Sequence, residues 1–252
     1  MLNKITIATS LAPSKDLRIQ KSAINSWLHC GFKVVALNVQ SEIDLLKHHF
    51  PDIEFVAPKR DASERYRKPY IYIDDILAYF ARQNCKICGI VNSDIHFFKE
   101  NLSAFLYQQT PSSLVFGSRL DVKSFNKTSN GTMYSGFDYF FFDQDLINYY
   151  PPSNFCMGLP WWDYWLPLFA IVSKLPVKKV NTPICYHLIH PGNYSLSVWR
   201  ELALEMAKQL YPKQDPSKIH LGYFHNFVLN TIRNSSHDIE FAINNDINCL
   251  QS

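Results

Sequence analysis

An α/β fold built on a mostly parallel sheet flanked by helices is what this sequence predicts, and three observations predict it. Short β-branched runs alternate with amphipathic stretches through the first half of the chain. The run over 32–39 is continuously apolar, as a strand covered on both faces is. The 252 residues are 47% hydrophobic and 19% charged, enough for one large core and unlike a disordered chain.

Residues 5–11 form a first strand of Ile, Thr, Ala and Leu. Ser14 is placed to cap a helix in which Leu17, Ile24, Trp27 and Leu28 recur at helical spacing, and Gly31 closes it in a left-handed conformation. A second strand over 32–39, a helix over 41–50, a third strand over 53–56 and a helix over 74–83 follow. A fourth strand spans 87–91, a helix 101–109 and a fifth strand 114–117. Right-handed crossovers between parallel strands gather the residues after each strand at one edge, where such sheets bind ligands. Thr9, Ser10, Asn38, residues 58–61 and Asn92-Ser93-Asp94 are brought there.

Beyond residue 117 the pattern changes. A Gly/Ser/Asn-rich loop (126–136) leads to a strand over 137–142, and Pro160-Trp161-Trp162-Asp163 opens a helix running to about Ser173. Residues 177–187 read as extended and Pro191-Gly192 breaks them. Amphipathic helices over 197–210 and 221–232 follow, and the polar tail from Asn234 is expected to fray. With no repeat and no linker, one domain over 1–252 is expected.

Composition excludes several functions. A net charge of +3 without a basic stripe argues against nucleic-acid binding. No apolar run of about 18 residues is present to span a bilayer, and residues 1–4 carry no secretory pattern, so a cytoplasmic protein is expected. Cys85-Lys86-Ile87-Cys88 lacks the second ligand pair of a zinc site and reads as buried, reduced thiols.

The most informative stretch is Asn92-Ser93-Asp94 at the end of the fourth strand. Hard divalent cations take carboxylate oxygens presented at such an edge, and Asp94 supplies one; Asn92 offers an oxygen without charge. Here the chain resembles the GT-A glycosyltransferases, whose fourth strand ends in an Asp-x-Asp motif that grips metal and nucleotide sugar. The resemblance spans about 4–190 and rests on strand order, Asn92-Ser93-Asp94, Gly136-Phe137-Asp138 and Trp161-Trp162-Asp163. It departs at Asn92, where the family has an acid.

The resemblance implies a GT-A-type, Rossmann-like domain that moves a sugar from a nucleotide-diphosphate-sugar donor to a hydroxyl acceptor with Mn2+ or Mg2+. A glycan, a lipid-linked molecule or a small molecule would be the acceptor. Residues 1–122 would bind nucleotide, 123–195 acceptor, and 196–252 would be helices and tail. Thr9 and Ser10 would line the nucleoside pocket, with Asn38 on the donor side. His187 or His190 would complete the metal site with Asp94, and Asp138 would touch acceptor or donor sugar.

Inverting transfer needs a carboxylate to take the acceptor's proton, and Asp163 is the candidate, flanked by Trp161, Trp162 and Trp165 as a wall for a sugar ring. An Asp in a first helical turn also complements the helix dipole with no catalytic role. Arg60 and Arg65, in the cationic run after the third strand, and Arg119, after the fifth, are candidates for diphosphate. A triphosphate-cradling loop is disfavoured, because Ser10 to Lys15 contains no glycine. A degenerate domain that only binds sugar or nucleotide stays open. So does a peripheral membrane contact through the basic, aromatic helices carrying Trp199, Arg200, Lys208, Tyr211 and Lys213, which otherwise pack on the sheet.

Overall fold

The structure, a computed structural model, describes residues 5–125, 130–190 and 195–242. Pro191-Gly192 lies outside the described residues. The chain begins β1 (Thr6–Thr9), α1 (Arg18–His29), β2 (Lys33–Leu37), α2 (Gln40–Leu46), β3 (Glu54–Val56), α3 (Ser63–Tyr66), α4 (Ile73–Ala81) and β4 (Ile87–Val91). It continues through β5 (Ile95–Phe97), α5 (Leu102–Gln109), β6 (Leu114–Gly117), β7 (Leu120–Val122), β8 (Thr132–Met133) and β9 (Tyr139–Asp143). The last third holds α6 (Trp162–Val172), β10 (Val177–Val180), β11 (Cys185–Leu188), α7 (Leu196–Leu210), α8 (Leu221–Ser235) and β12 (His237–Ile239).

Eight strands form the main sheet in the order β12-β10-β6-β9-β4-β1-β2-β3. All its pairings are parallel except those of β9, which runs antiparallel to both β4 and β6. Because β1 pairs with β2 on one side and β4 on the other, strand order reverses there, and the loops after β1 and β4 flank the crevice.

The core lies on both faces of this sheet, and β9 shows why. Phe140 and Phe142 pack with α4, α6, α7 and α8 on one face, while Tyr139 and Phe141 pack with α1 and α5 on the other. So dense an aromatic strand needs room opposite it. Gly89 pairs with Phe141, and a Cβ at Gly89 would come within 2.7 Å of the Phe141 ring.

A second sheet of four strands, β5-β11-β7-β8, sits beside the first. The extended stretch read over 177–187 is therefore two strands in two sheets: β10 lies in the large sheet and β11 in the small one. Two further expectations are corrected. The first helix begins at Arg18 rather than at Ser14, since the Gln20 side chain instead closes the preceding loop through the N–H and C=O of Ala12, each at 2.9 Å. The tail does not fray at Asn234; α8 runs to Ser235, and β12 adds to the sheet edge beside β10.

Candidate functional site

The small sheet assembles the chemistry. Asp94 immediately precedes β5, and in the antiparallel β5–β11 pair His187 stands opposite Ile95. In the parallel β11–β7 pair the same His187 stands opposite Asp121. Register alone thus brings Asp94, Asp121 and His187 together, and His190 follows two residues beyond β11.

Asp94 Oδ2 lies 3.1 Å from His190 Nε2 and 3.4 Å from His187 Nε2, and the two imidazole nitrogens are 3.2 Å apart. His187 Nδ1 lies 2.9 Å from Asp121 Oδ1, which also accepts from Arg119 Nε at 2.8 Å. Arg119 donates through Nη1 to Asp138 Oδ1, which accepts from Asn92 Nδ2 at 3.2 Å. The face of the Arg119 guanidinium lies 4.0 Å from the Tyr134 ring centroid.

Burial pushes the Asp94 carboxyl up, but hydrogen bonds from His187 and His190, with the charges of His187 and Arg119, outweigh it and leave it below the usual carboxylate range. Asp138 goes the other way: it is buried, and burial with the nearby Asp94 charge raises it against the pull of Arg119. Asp163 opens α6 and is pushed up to about 7, first by burial and then by Asp138, against the backbone N–H groups of Asp163, Tyr164 and Trp161. Trp161, just before it, holds φ at 81°, a left-handed conformation uncommon for a bulky residue and fixed here by its packing.

Asp94, His187 and His190 fit a divalent cation. Asp94 Oδ1 is buried without a hydrogen-bond partner. Sides of 3.1, 3.2 and 3.4 Å are the separations of three atoms ligating one ion at roughly 2.0–2.3 Å. Arg119 faces three carboxylates, Asp138, Asp121 and Asp94, so its single charge is shared among them. A cavity of about 370 Å3 between α1 and the start of α5 is lined by Ser22, His29, His96 and Lys99 among others, but by none of this cluster. Side-chain chemistry, rather than volume, marks the candidate site.

No family model and no curated protein matches the sequence. Solved structures do. TarS of S. aureus, a glycosyltransferase, matches with a TM-score of 0.51 and 13% identity over 92% of this chain. Its 1–349 fragment gives the same TM-score and identity, again over 92% of this chain, covering 71% of the fragment. The chain thus has a GT-A-like α/β fold. The match covers 43% of full-length TarS, and at this identity the likeness is one of fold.

Within that fold the expected site residues divide. Asn92, Asp94, Arg119, Asp138, His187 and His190 are joined in one network. Ser93 lies between two of its members in the turn after β4, and Asp163 interacts electrostatically with Asp138. Asn92 is explained: its amide donates to Asp138, where a second acid would add repulsion.

Others lie outside this network, and the two tryptophans are corrected. Trp161 and Trp162, expected as an acceptor wall, are 0% and 2% exposed. The Trp161 indole donates to the Trp199 carbonyl and stacks on Phe224, and Trp162 packs edge-on to Phe140, so neither face meets solvent. Thr9 is fully buried, its hydroxyl 3.9 Å from Met157 Sδ, and Ser10 follows it, part-exposed. Asn38 is also fully buried, and its amide pairs with both the N–H and C=O of Leu11 at 3.1 and 2.7 Å, latching the loop after β1. Arg60 pairs with Asp75 at 3.2 Å, and Arg65 donates to Glu201 of α7 at 2.7 Å.

Asp121 was missed by the sequence reading. The available signal was its spacing, two residues after Arg119 in a stretch of alternating polar and apolar residues that enters β7.

Proposed function

We propose that the protein is a metal-assisted glycosyltransferase that moves a sugar from a nucleoside-diphosphate-sugar to a hydroxyl acceptor. The observation that carries this reading is the Asp94–His187–His190 triangle, with its unpartnered buried oxygen, just after β4 where strand order reverses. The ion held by these three residues would neutralise the diphosphate as it leaves. Two imidazoles and one carboxylate favour Mn2+ over Mg2+, which takes oxygen ligands.

Ser10, beside the β1/β4 crevice, faces the donor in this reading, and Arg119 holds the acidic cluster against its own repulsion. Asp163, ionised, takes the proton of the acceptor hydroxyl as that oxygen bonds to the anomeric carbon. The bond from that carbon to the diphosphate breaks, and its electron pair leaves on the diphosphate oxygen. A carboxyl near 7 is matched to this task at neutral pH. Such a displacement inverts the anomeric centre.

A binding-only domain is the second reading, favoured by Asn92, which supplies no charge and whose amide is engaged by Asp138. Melting curves with UDP, GDP, CDP and ADP, with and without Mn2+, test the donor site. A selective rise with one nucleotide that needs Mn2+ and is lost in Asp94→Ala supports the transferase site. No rise with any of the four at millimolar concentration removes it. Loss of turnover in Asp163→Asn with nucleotide binding retained separates an enzyme from a binding module.

A further inference from the structure

His187 is gripped from behind as well as facing Asp94 and His190. Its Nδ1 lies 2.9 Å from Asp121 Oδ1, an oxygen that already accepts from Arg119, so Nδ1–H is the donor of that bond. Nε2 is then the nitrogen that faces Asp94 Oδ2 and His190 Nε2. Asp121 is fixed in turn. The same Oδ1 accepts from Arg119 Nε at 2.8 Å, and Arg119 is clamped between Asp138 and the Tyr134 ring. Both side chains are mostly buried, with Arg119 16% and Asp121 24% exposed. The cross-strand pairing of Asp121 with His187 makes this contact a property of the β7–β11 register rather than of a mobile loop.

We propose that Asp121 is a positioning residue for the ion site: it holds the His187 proton on Nδ1 and sets the ring plane, and Arg119 holds Asp121. The inference rests on reading Asp94, His187 and His190 as an ion site, and it adds a residue that touches neither ion nor substrate. A carboxylate behind a ligating imidazole fixes its tautomer and raises its basicity, and losing it typically weakens metal affinity about 10–100-fold.

The test is Mn2+ uptake by the purified, metal-free protein without donor or acceptor, read from the resonance of free Mn2+. Wild type, Asp121→Asn and Asp121→Leu are compared. Asn keeps an acceptor oxygen for the Nδ1 proton and Leu does not. The expected order is wild type tightest, Asn weaker by about 3–10-fold and Leu by about 10–100-fold. Equal losses in Asn and Leu would mean that charge alone matters, and unchanged affinity in both would mean that Asp121 only balances Arg119; either result overturns the proposal. A folded wild type that takes up no Mn2+ overturns the ion-site reading and this inference with it. Should the Leu variant not fold, nitrogen-15 spectra of the His187 ring in Zn2+-loaded wild type decide: a proton on Nδ1 is expected, and ligation through Nδ1 overturns the positioning role.

Discussion

Strand β9 of the large sheet buries all five of its residues, Tyr139 to Asp143, whereas β11 of the small sheet alternates buried Cys185 and His187 with part-exposed Tyr186 and Leu188. The large sheet carries the two halves of the hydrophobic core, one on each face. The small sheet pairs short strands whose side chains include His187 and Asp121. Stability and chemistry are thus assigned to separate sheets, and their edges meet where Asp94 leaves β4 for β5. Substitutions on the two sides should fail in different ways.

The largest effect is expected between them, at Asp163. Asp163→Asn should lower turnover by about 10²–10⁴-fold while nucleotide binding survives. In wild type, kcat/KM should rise with pH and level off above about 7, following ionisation of this group. Stability carries the opposite sign. The folded value of about 7 lies above the ordinary 3.8, so the folded chain keeps a proton that the unfolded chain has lost. The associated stability is fully present below about pH 4 and is lost as pH rises to about 7. Asn removes that decline, and the unfolding free energy of the variant should gain on that of wild type across this window, by on the order of a few kcal/mol. A flat difference between pH 4 and 8 would count against the raised value.

Phe141→Ala, in the large sheet, should cost about 3–5 kcal/mol in denaturant melts and leave Mn2+ affinity of the folded fraction unchanged. Asp94→Ala, beside the small sheet, should instead abolish Mn2+ uptake and lower turnover by about 10²–10³-fold. If Phe141→Ala abolished ion binding in the folded protein, the separation of roles would be wrong. The smallest effect is expected at Arg65→Ala, which breaks a partly exposed pair with Glu201 and should cost under about 1 kcal/mol. A large rise in donor KM in that variant would place Arg65 at the diphosphate after all.

The same contrast governs what the sequence disclosed. Strands 87–91 and 114–117 were read at their observed bounds because unbroken apolar runs are the strongest periodic signal a buried sheet leaves. Asp94 followed from its place after the fourth strand. The small sheet left almost no signal: Ile95–Phe97 and Leu120–Val122 alternate only once before they end. Without them neither the register that joins Asp121 to His187 nor the division of 177–187 between two sheets was visible. Trp161 and Trp162 were misassigned because aromatic clustering does not distinguish a core from a binding wall. Asn38 was misassigned because a polar residue at a strand end serves the backbone of Leu11 as readily as a ligand.

The division of labour also orders events in the life of the chain. His190 and Asp94 are 96 positions apart, and His187 and Asp121 are 66 apart. Only residues 181–184 separate β10, docked beside β6, from β11 in the small sheet. A nascent chain that has not emerged past β11 offers Asp94 without either imidazole, and loop closure over such separations comes late. In the proposed reading, cation capture would wait until β10 has docked and carried β11 with it. An ion would then stabilise chains in which the two sheets are joined over those in which they are not.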